Sequence, residues 1–236
     1  MSGFSLEAEE FKNICRSWSG TKVVVLGDMI LDEYIYGRTG RVSREAPVVI
    51  VEYDGTSYCP GGGANAAANI SAIGGRGSAV GITGKDGAGN KLRDELEKRS
   101  VSVEGLISSE SRDTVLKTRI MAGDFHAQRQ QIVRIDRENK ENISGEDQQR
   151  VLNAFSREIS DAGAVVLSDY NQKLLSGAVI SAALEMVRER NIPVFADSRF
   201  RLNEFSGVTG ATPNEVELSR TAGIELSEEE VIDDAA

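Results

Sequence analysis

Residues 61–84 read GGGANAAANISAIGGRGSAVGITG, and this stretch decides the fold. Gly61, Gly62 and Gly63 open directly into an apolar, alanine-rich segment. Without Cβ atoms they let the backbone turn tightly and bring its amides close to a bound polar molecule. Ala64, Ala67, Ala68, Ile70, Ser71, Ala72 and Ile73 follow a helical spacing of small residues suited to close packing on a sheet. Asn65 and Asn69 lie four apart and share a helix face near the glycine turn. A carboxamide both donates and accepts, which suits a hydroxyl-rich ligand such as a sugar. Gly74, Gly75 and Gly77 stop the helix, and Ser78 to Thr83 read as a buried strand. Taken alone, the stretch also fits a helix start with two incidental asparagines.

On its N-terminal side, Ser5 to Trp18 predict an amphipathic helix with Leu6, Phe11, Ile14, Cys15 and Trp18 on the apolar side. Val23 to Leu26 form an apolar run typical of a strand buried on both faces. Gly27 and Asp28 end it, placing a carboxylate where open α/β sheets bind ligands; a turn or helix cap is the alternative. Asp32 and Tyr34 follow without an assigned role. Tyr34 to Tyr58 is strand-like but no βαβ unit, because Pro47, Asp54 and Gly55 break the runs. Arg41, Ser43, Arg44 and Glu45 are carried there.

On the C-terminal side, Gly84-Lys85 invites a phosphate-loop reading that the spacing rejects. Ala79 stands at the earlier glycine position and Asp86 where Ser or Thr should bind magnesium. Asp86 is read instead as near the start of a helix. Val103 to Ile107, Thr114 to Met121 and Gln131 to Asp136 predict strands, with Lys117 and Arg119 on one face. His126 has no partner at ligand spacing, and no G-x-S-x-G elbow supports a hydrolase. Ser144 and Asp147 open a helix to about Ile159. Ala164 to Leu167 predict a second buried strand ending in Ser168, Asp169 and Tyr170. A helix completed by Leu184 to Arg190 precedes a strand over Pro193 to Ala196. Pro213 suits a first helical position, and Asn214 and Glu217 share the first helical turn. Leu226 to Ala236 read as an acidic helical tail.

A length of 236 residues suffices for a buried core. The formal charge of −10 argues against binding nucleic acid or anionic membranes, which needs Lys and Arg. It leaves room for a phosphorylated ligand held by a local cluster of cations. No apolar run is long enough for a membrane span, and the polar, acidic start is no secretory signal. Cys15 and Cys59 have neither metal spacing nor a disulfide framework. The expected compartment is the cytoplasm.

The paired glycines, Asn65, the small residue at Ala67, Gly74 and Gly84 together resemble the first signature of the phosphofructokinase-B (ribokinase-like) sugar kinases. GDMILDEYIYGRTGRVSREAPVVIVE (27–52) and CPGGGANAAANIS (59–71) resemble its D-glycero-β-D-manno-heptose-7-phosphate kinase branch. The resemblance runs from about Val23 to the C-terminus. It implies a three-layer α/β fold with a mainly parallel central sheet, and a small β-lid over residues 34–58 that joins two subunits. It implies ATP and Mg2+ as cofactors and phosphoryl transfer to a sugar hydroxyl. Asp28, Gly62, Gly63, Asn65, Asn69, Arg44, Lys117, Arg119 and Asp169 are the implied substrate-binding residues. Lys173, Arg199, Asn214 and Glu217 are implied at nucleotide and phosphates, Glu217 reaching magnesium through water. The branch usually has a Lys-Gly pair where this chain has Asn171, Gln172 and Lys173, and Asp197-Ser198-Arg199 replaces Asp-Pro-Lys. No D-T-x-G-A-G-D segment, the family's source of catalytic base and anion hole, occurs in the 236 residues. The expectation is therefore an incomplete kinase domain over residues 1–236, nearly inactive alone. Alternatives are a non-catalytic sugar-phosphate module, or half of a kinase completed by a separate chain.

Overall fold

The computed structural model describes residues 8–42, 49–123 and 129–223. Helix α1 (Ala8–Ser17) leads into β1 (Lys22–Gly27), whose continuous apolar run is buried on both faces. After Asp28 the chain leaves this strand for β2 (Met29–Val42), which pairs antiparallel with β3 (Val49–Gly62). The glycine-rich stretch then turns into α2 (Gly63–Ala72) and returns as β4 (Arg76–Gly84), parallel to β1. Helix α3 (Gly87–Glu97) starts at Asp86, whose side chain accepts from the Gly89 N–H, an N-cap that satisfies an otherwise unpaired helix donor. Strands β5 (Ser102–Ser109), β6 (Val115–Gly123) and β7 (Gln130–Arg137) follow. Helix α4 (Gly145–Glu158) has Ser144 as its N-cap, as the sequence predicts. The remainder alternates: β8 (Ala164–Asp169), α5 (Gly177–Glu189), β9 (Val194–Ser198), the short β10 (Gly210–Ala211) and α6 (Glu215–Ala222).

Ten strands make two sheets among the described residues. The first is parallel throughout, in the order β10-β9-β8-β1-β4-β5. Its two faces are covered by different helices because side chains alternate along each strand. Val24 and Leu26 of β1 join one core with Phe155 of α4 and Ile180 and Leu184 of α5. Val25 joins the other with Ala64, Ala67 and Ala68 of α2 and Leu92 and Leu96 of α3. Each fully buried Val, Leu, Ile or Phe side chain among these contributes about 1.5–3 kcal/mol through removal from water. The three-layer α/β architecture expected from the sequence is thus present.

The second sheet has the order β3-β2-β6-β7. Its first two strands run from Met29 to Gly62 apart from the undescribed 43–48, a wider span than the expected lid of 34–58, and β6 and β7 join them from far along the chain. Both long strands carry register shifts, at Tyr36/Gly37 and Thr39/Arg41, which erase the alternation that would have marked them as one pair. The expected helix over 5–18 is described from Ala8, and Trp18 sits beyond its end with Nε1 donating to the Ile73 carbonyl at 3.1 Å. Arg44, His126 and the 226–236 tail lie outside the described residues. No described helix is long and apolar enough to cross a membrane.

Candidate functional site

The two sheets meet at the C-terminal end of β1. A cleft of about 350 Å³ opens there, within the range of small-molecule sites. Ile30, Asp32 and Tyr34 line it from β2, and Cys59 to Gly62 from the end of β3. Asn65 enters from the first turn of α2, Lys117 and Arg119 from β6, and Arg134 from β7. Tyr170 and Arg199 close the far wall from the ends of β8 and β9. The crevice beyond the carboxyl ends of parallel strands is where open α/β sheets bind ligands.

Two glycines are required by this geometry. Gly62 has φ +55°, and a Cβ there would lie 2.7 Å from the Asp28 carbonyl oxygen. A Cβ on Gly61 would lie 2.6 Å from Asp32 Oδ2, so only glycine leaves that carboxylate its place in the cleft.

Among the described lining residues, four are cationic (Lys117, Arg119, Arg134 and Arg199) and one, Asp32, is a carboxylate. Arg119 Nη1 donates to Asp32 Oδ1 at 2.5 Å. Arg134 forks onto Asp136 with bonds of 2.7 and 2.6 Å, while Lys117 Nζ lies 3.6 Å from Glu138. The Arg199 guanidinium stacks 4.7 Å from the Tyr170 ring centroid. In a chain of net charge −10 these four cations gather at one cleft, three of them beside the carboxylates of Asp32, Asp136 and Glu138. Asp32 and the Asn65 carboxamide add acceptors and donors for hydroxyls.

Of the implied substrate-binding residues, Gly62, Asn65, Lys117 and Arg119 line this cleft together; Arg199, implied at the nucleotide phosphates, joins them, and several others lie elsewhere. Asp28 does not line the cleft. It is 3% exposed, and its Oδ2 accepts the backbone N–H groups of Tyr170 (2.7 Å) and Gln172 (3.0 Å). Burial, reinforced by the Asp169 charge, pushes its carboxyl up to about 6 against the pull of those N–H bonds. Gly63 is buried and donates its N–H to the Asp28 carbonyl, and Asn69 is exposed outside the cleft. Asp169, 1% exposed, accepts from Ser198 Oγ, Arg201 Nη2 and the Asn171 N–H, a knot tying β8 to β9. Lys173 extends to Asn171 Oδ1 at 3.4 Å. Asn214 and Glu217 form a reciprocal capping box with both bonds at 2.9 Å, so the capping alternative is realised in full.

Sequence reasoning left Asp32, Arg134 and Tyr170 without a role. Ile30, Asp32 and Tyr34 alternate on one strand face, a period-two signal that would have singled out Asp32 over Asp28. Nothing local marks Tyr170.

For a metal, the described residues include no cluster of three or more His, Cys, Asp or Glu side chains. Asp197 is raised by burial and further by the Glu217 charge. A divalent cation near two such carboxylates would relieve their repulsion, and Mg2+ needs few protein oxygens when phosphates supply the rest. The residues fit that ion.

A parallel sheet opening onto a second sheet across a polar, cation-lined cleft defines a layered α/β protein with a crevice of small-molecule size. The chain belongs to the pfkB family of carbohydrate kinases, whose pattern matches residues 20–236. It is similar to the bifunctional protein HldE of Azorhizobium caulinodans, 39% identical over 204 residues, 86% of this chain and 42% of that protein. It is also similar to HldE of Citrifermentans bemidjiense, 34% identical over 232 residues, 98% of this chain and 47% of that protein. The chain therefore spans under half the length of these relatives. Its fold is similar to Escherichia coli phosphofructokinase-2 in complex with fructose-6-phosphate (TM-score 0.73, 18% identity, 92% of this chain and 69% of that one). The Arabidopsis thaliana ribokinase complexed with ribose and ATP is a further neighbour (TM-score 0.63, 21% identity, 92% and 67% covered).

Proposed function

We propose that this chain is the sugar-binding part of an ATP-dependent kinase acting on a heptose phosphate, in the synthesis of ADP-heptose. The observation that carries this reading is the cleft itself, where four cations surround Asp32 and Asn65. Asp32, Asn65 and the Gly62 backbone orient sugar hydroxyls. Lys117, Arg119, Arg134 and Arg199 hold the phosphate the sugar already carries, guanidinium groups suiting its planar, multidentate recognition. Asn214 and Glu217 would order Mg2+ and the ATP phosphates, with Lys173 beside them. In the reaction the sugar oxygen would bond to the γ-phosphorus as the bond from that phosphorus to the ADP oxygen breaks, and the hydroxyl proton would pass to water. Mg2+, when bound, neutralises charge on the phosphates.

None of the described carboxylates is assigned as the base for that proton, and the D-T-x-G-A-G-D segment is absent from these 236 residues. We therefore expect this polypeptide to bind the sugar without appreciable turnover, since a general base contributes about 10²- to 10⁴-fold. The second reading is a non-catalytic sugar-phosphate module. A separate chain carrying the segment would restore turnover under the first reading and not under the second.

Calorimetry with D-glycero-β-D-manno-heptose 7-phosphate and with the unphosphorylated heptose tests the site. Clear preference for the phosphorylated sugar, weakening with salt, is expected. Equal affinity, or none for either, overturns the reading.

A further inference from the structure

Asp28 sits at the junction of both sheets yet does not face the cleft. Its N–H donates to the Ser168 carbonyl at 3.0 Å and its own carbonyl accepts from Gly63 at 2.9 Å, joining β1, β8 and α2. Its carboxylate Oδ2 reaches into the turn after β8 and holds the Tyr170 and Gln172 amides. Oδ1 is buried with no hydrogen-bond partner among the described residues, so the group is kept there at a cost. The turn it holds is itself unfavourable, with Asn171 at φ 61° and Lys173 at φ 73°. Side chains with a Cβ disfavour that region, so the turn needs an outside anchor. Its first residue, Tyr170, carries the ring on which Arg199 stacks at the cleft wall.

We propose that Asp28 is a positioning residue for the anion-binding wall of the cleft, acting through the Tyr170–Gln172 turn on the Tyr170–Arg199 pair. The groups facing it are the Asp169 carboxylate, itself held by Arg201, and the Arg112 guanidinium, whose Nη2 donates to the Gln172 carbonyl at 3.1 Å. Arg112 braces the same turn from its other side, while Asp28 alone takes two of its amides. Asparagine at 28 keeps an oxygen for those amides; alanine does not.

The affinity part of the test rests on the sugar-phosphate reading, and the spectral part does not. Ring-current shifts of the Arg199 δ protons, read by NMR on the full chain, report its stacking on Tyr170 whatever the cleft binds. The shift is expected to persist in Asp28→Asn and to collapse in Asp28→Ala, or in Asp28→Ser should the alanine variant not fold. An unchanged shift in the folded Ala or Ser variant overturns the proposal. By calorimetry with heptose 7-phosphate, Asp28→Ala is expected to weaken binding by about tenfold or more, with no further loss beyond Arg199→Ala when both are combined. Additive losses would mean that Asp28 acts by some other route. If the wild-type chain binds no heptose phosphate while the shift behaves as expected, the substrate reading fails and the positioning role stands.

Discussion

Arg119 and Asp32 share a 2.5 Å hydrogen bond across neighbouring strands, with the Arg119 guanidinium also 5.3 Å from the Tyr34 ring centroid. Their side chains are 19% and 18% exposed, so water screens the pair only partly. Under the proposed function, the bond would fix the carboxylate for sugar hydroxyls and leave the other guanidinium donors for a phosphate. Replacing Asp32 by Asn is expected to weaken heptose-phosphate binding by about 1–3 kcal/mol, and Arg119→Lys by a similar amount because the planar fork is lost. A double-mutant cycle by calorimetry should show coupling above about 0.5 kcal/mol. Zero coupling with full affinity would remove the pair from the site.

Asp28 gives a pH signature with the opposite sign to an ordinary ion-paired carboxylate. Its folded value of about 6 lies above the ordinary aspartate value of 3.8. Between those pH values the folded state holds a proton that the unfolded chain has lost, so stability falls as pH rises. The cost is complete above pH 6 and amounts to roughly 3 kcal/mol. Asp28→Asn is therefore expected to melt above wild type at pH 7.5, with the gap closing by about pH 4. Thermal unfolding across that range checks it. A gap independent of pH would mean that burial of the charge is not what Asn relieves.

Asp28 stood out in the sequence while the turn it contacts did not, and the contrast shows what local sequence carries. Parallel strands buried on both faces announce themselves, as Val23 to Leu26 and Ala164 to Leu167 do, because every side chain must be apolar. So does the glycine turn into α2. The second sheet was only half legible, since its long strands are interrupted by register shifts and its other half comes from residues 115–137. A strand end followed by a carboxylate looks the same whether that carboxylate faces a ligand or anchors a neighbouring turn. The approach of Arg199 to Tyr170, and of both to Asp32 across the cleft, exists only after the sheets meet.

The turn after β8 offers a stability test. The Lys-Gly pair usual in the related branch is absent, and Lys173 takes φ 73° with a full side chain. Glycine there relieves the left-handed strain but adds freedom to the unfolded chain, so Lys173→Gly is expected to stabilise by about 0.5–1 kcal/mol net. Asn171→Gly should gain less, because asparagine tolerates that region. Urea unfolding measures both. A destabilised Lys173→Gly would show that the lysine contributes more than its 3.4 Å approach to Asn171 indicates.

Self-association is expected through the second sheet. Val133 and Ile135 flank Arg134 on β7, so they point away from the cleft, at 44% and 46% exposed. Ile120 pairs with Val133 in register and Ile35 with Ile120, extending that apolar face. Val49 and Tyr53, at 53% and 70% exposed, add to the edge strand β3. A second copy of the chain is the proposed cover. Light scattering should give a dimer for wild type and a monomer for Ile135→Glu combined with Val133→Glu. A wild-type monomer at high concentration would sink the proposal.

Glu217 poses the sharpest choice between structure and chemistry, because its carboxylate already closes the capping box on Asn214. Glutamine fills that capping role nearly as well, since the box needs an oxygen and no charge. Magnesium and phosphate ordering, by contrast, need the charge. Glu217→Gln is thus expected to leave thermal stability unchanged while lowering affinity for Mg–ATP, and the loss should vanish when magnesium is omitted. Asn214→Ala should instead cost about 1 kcal/mol of helix stability by removing the N-cap acceptor. The Asp197 carboxyl supplies an independent readout, as Glu217 is one of the charges that raise it. Its titration, followed by NMR, should move down in Glu217→Gln. A variant that binds Mg–ATP as wild type does, with Asp197 shifted, would leave Glu217 a helix cap and nothing more.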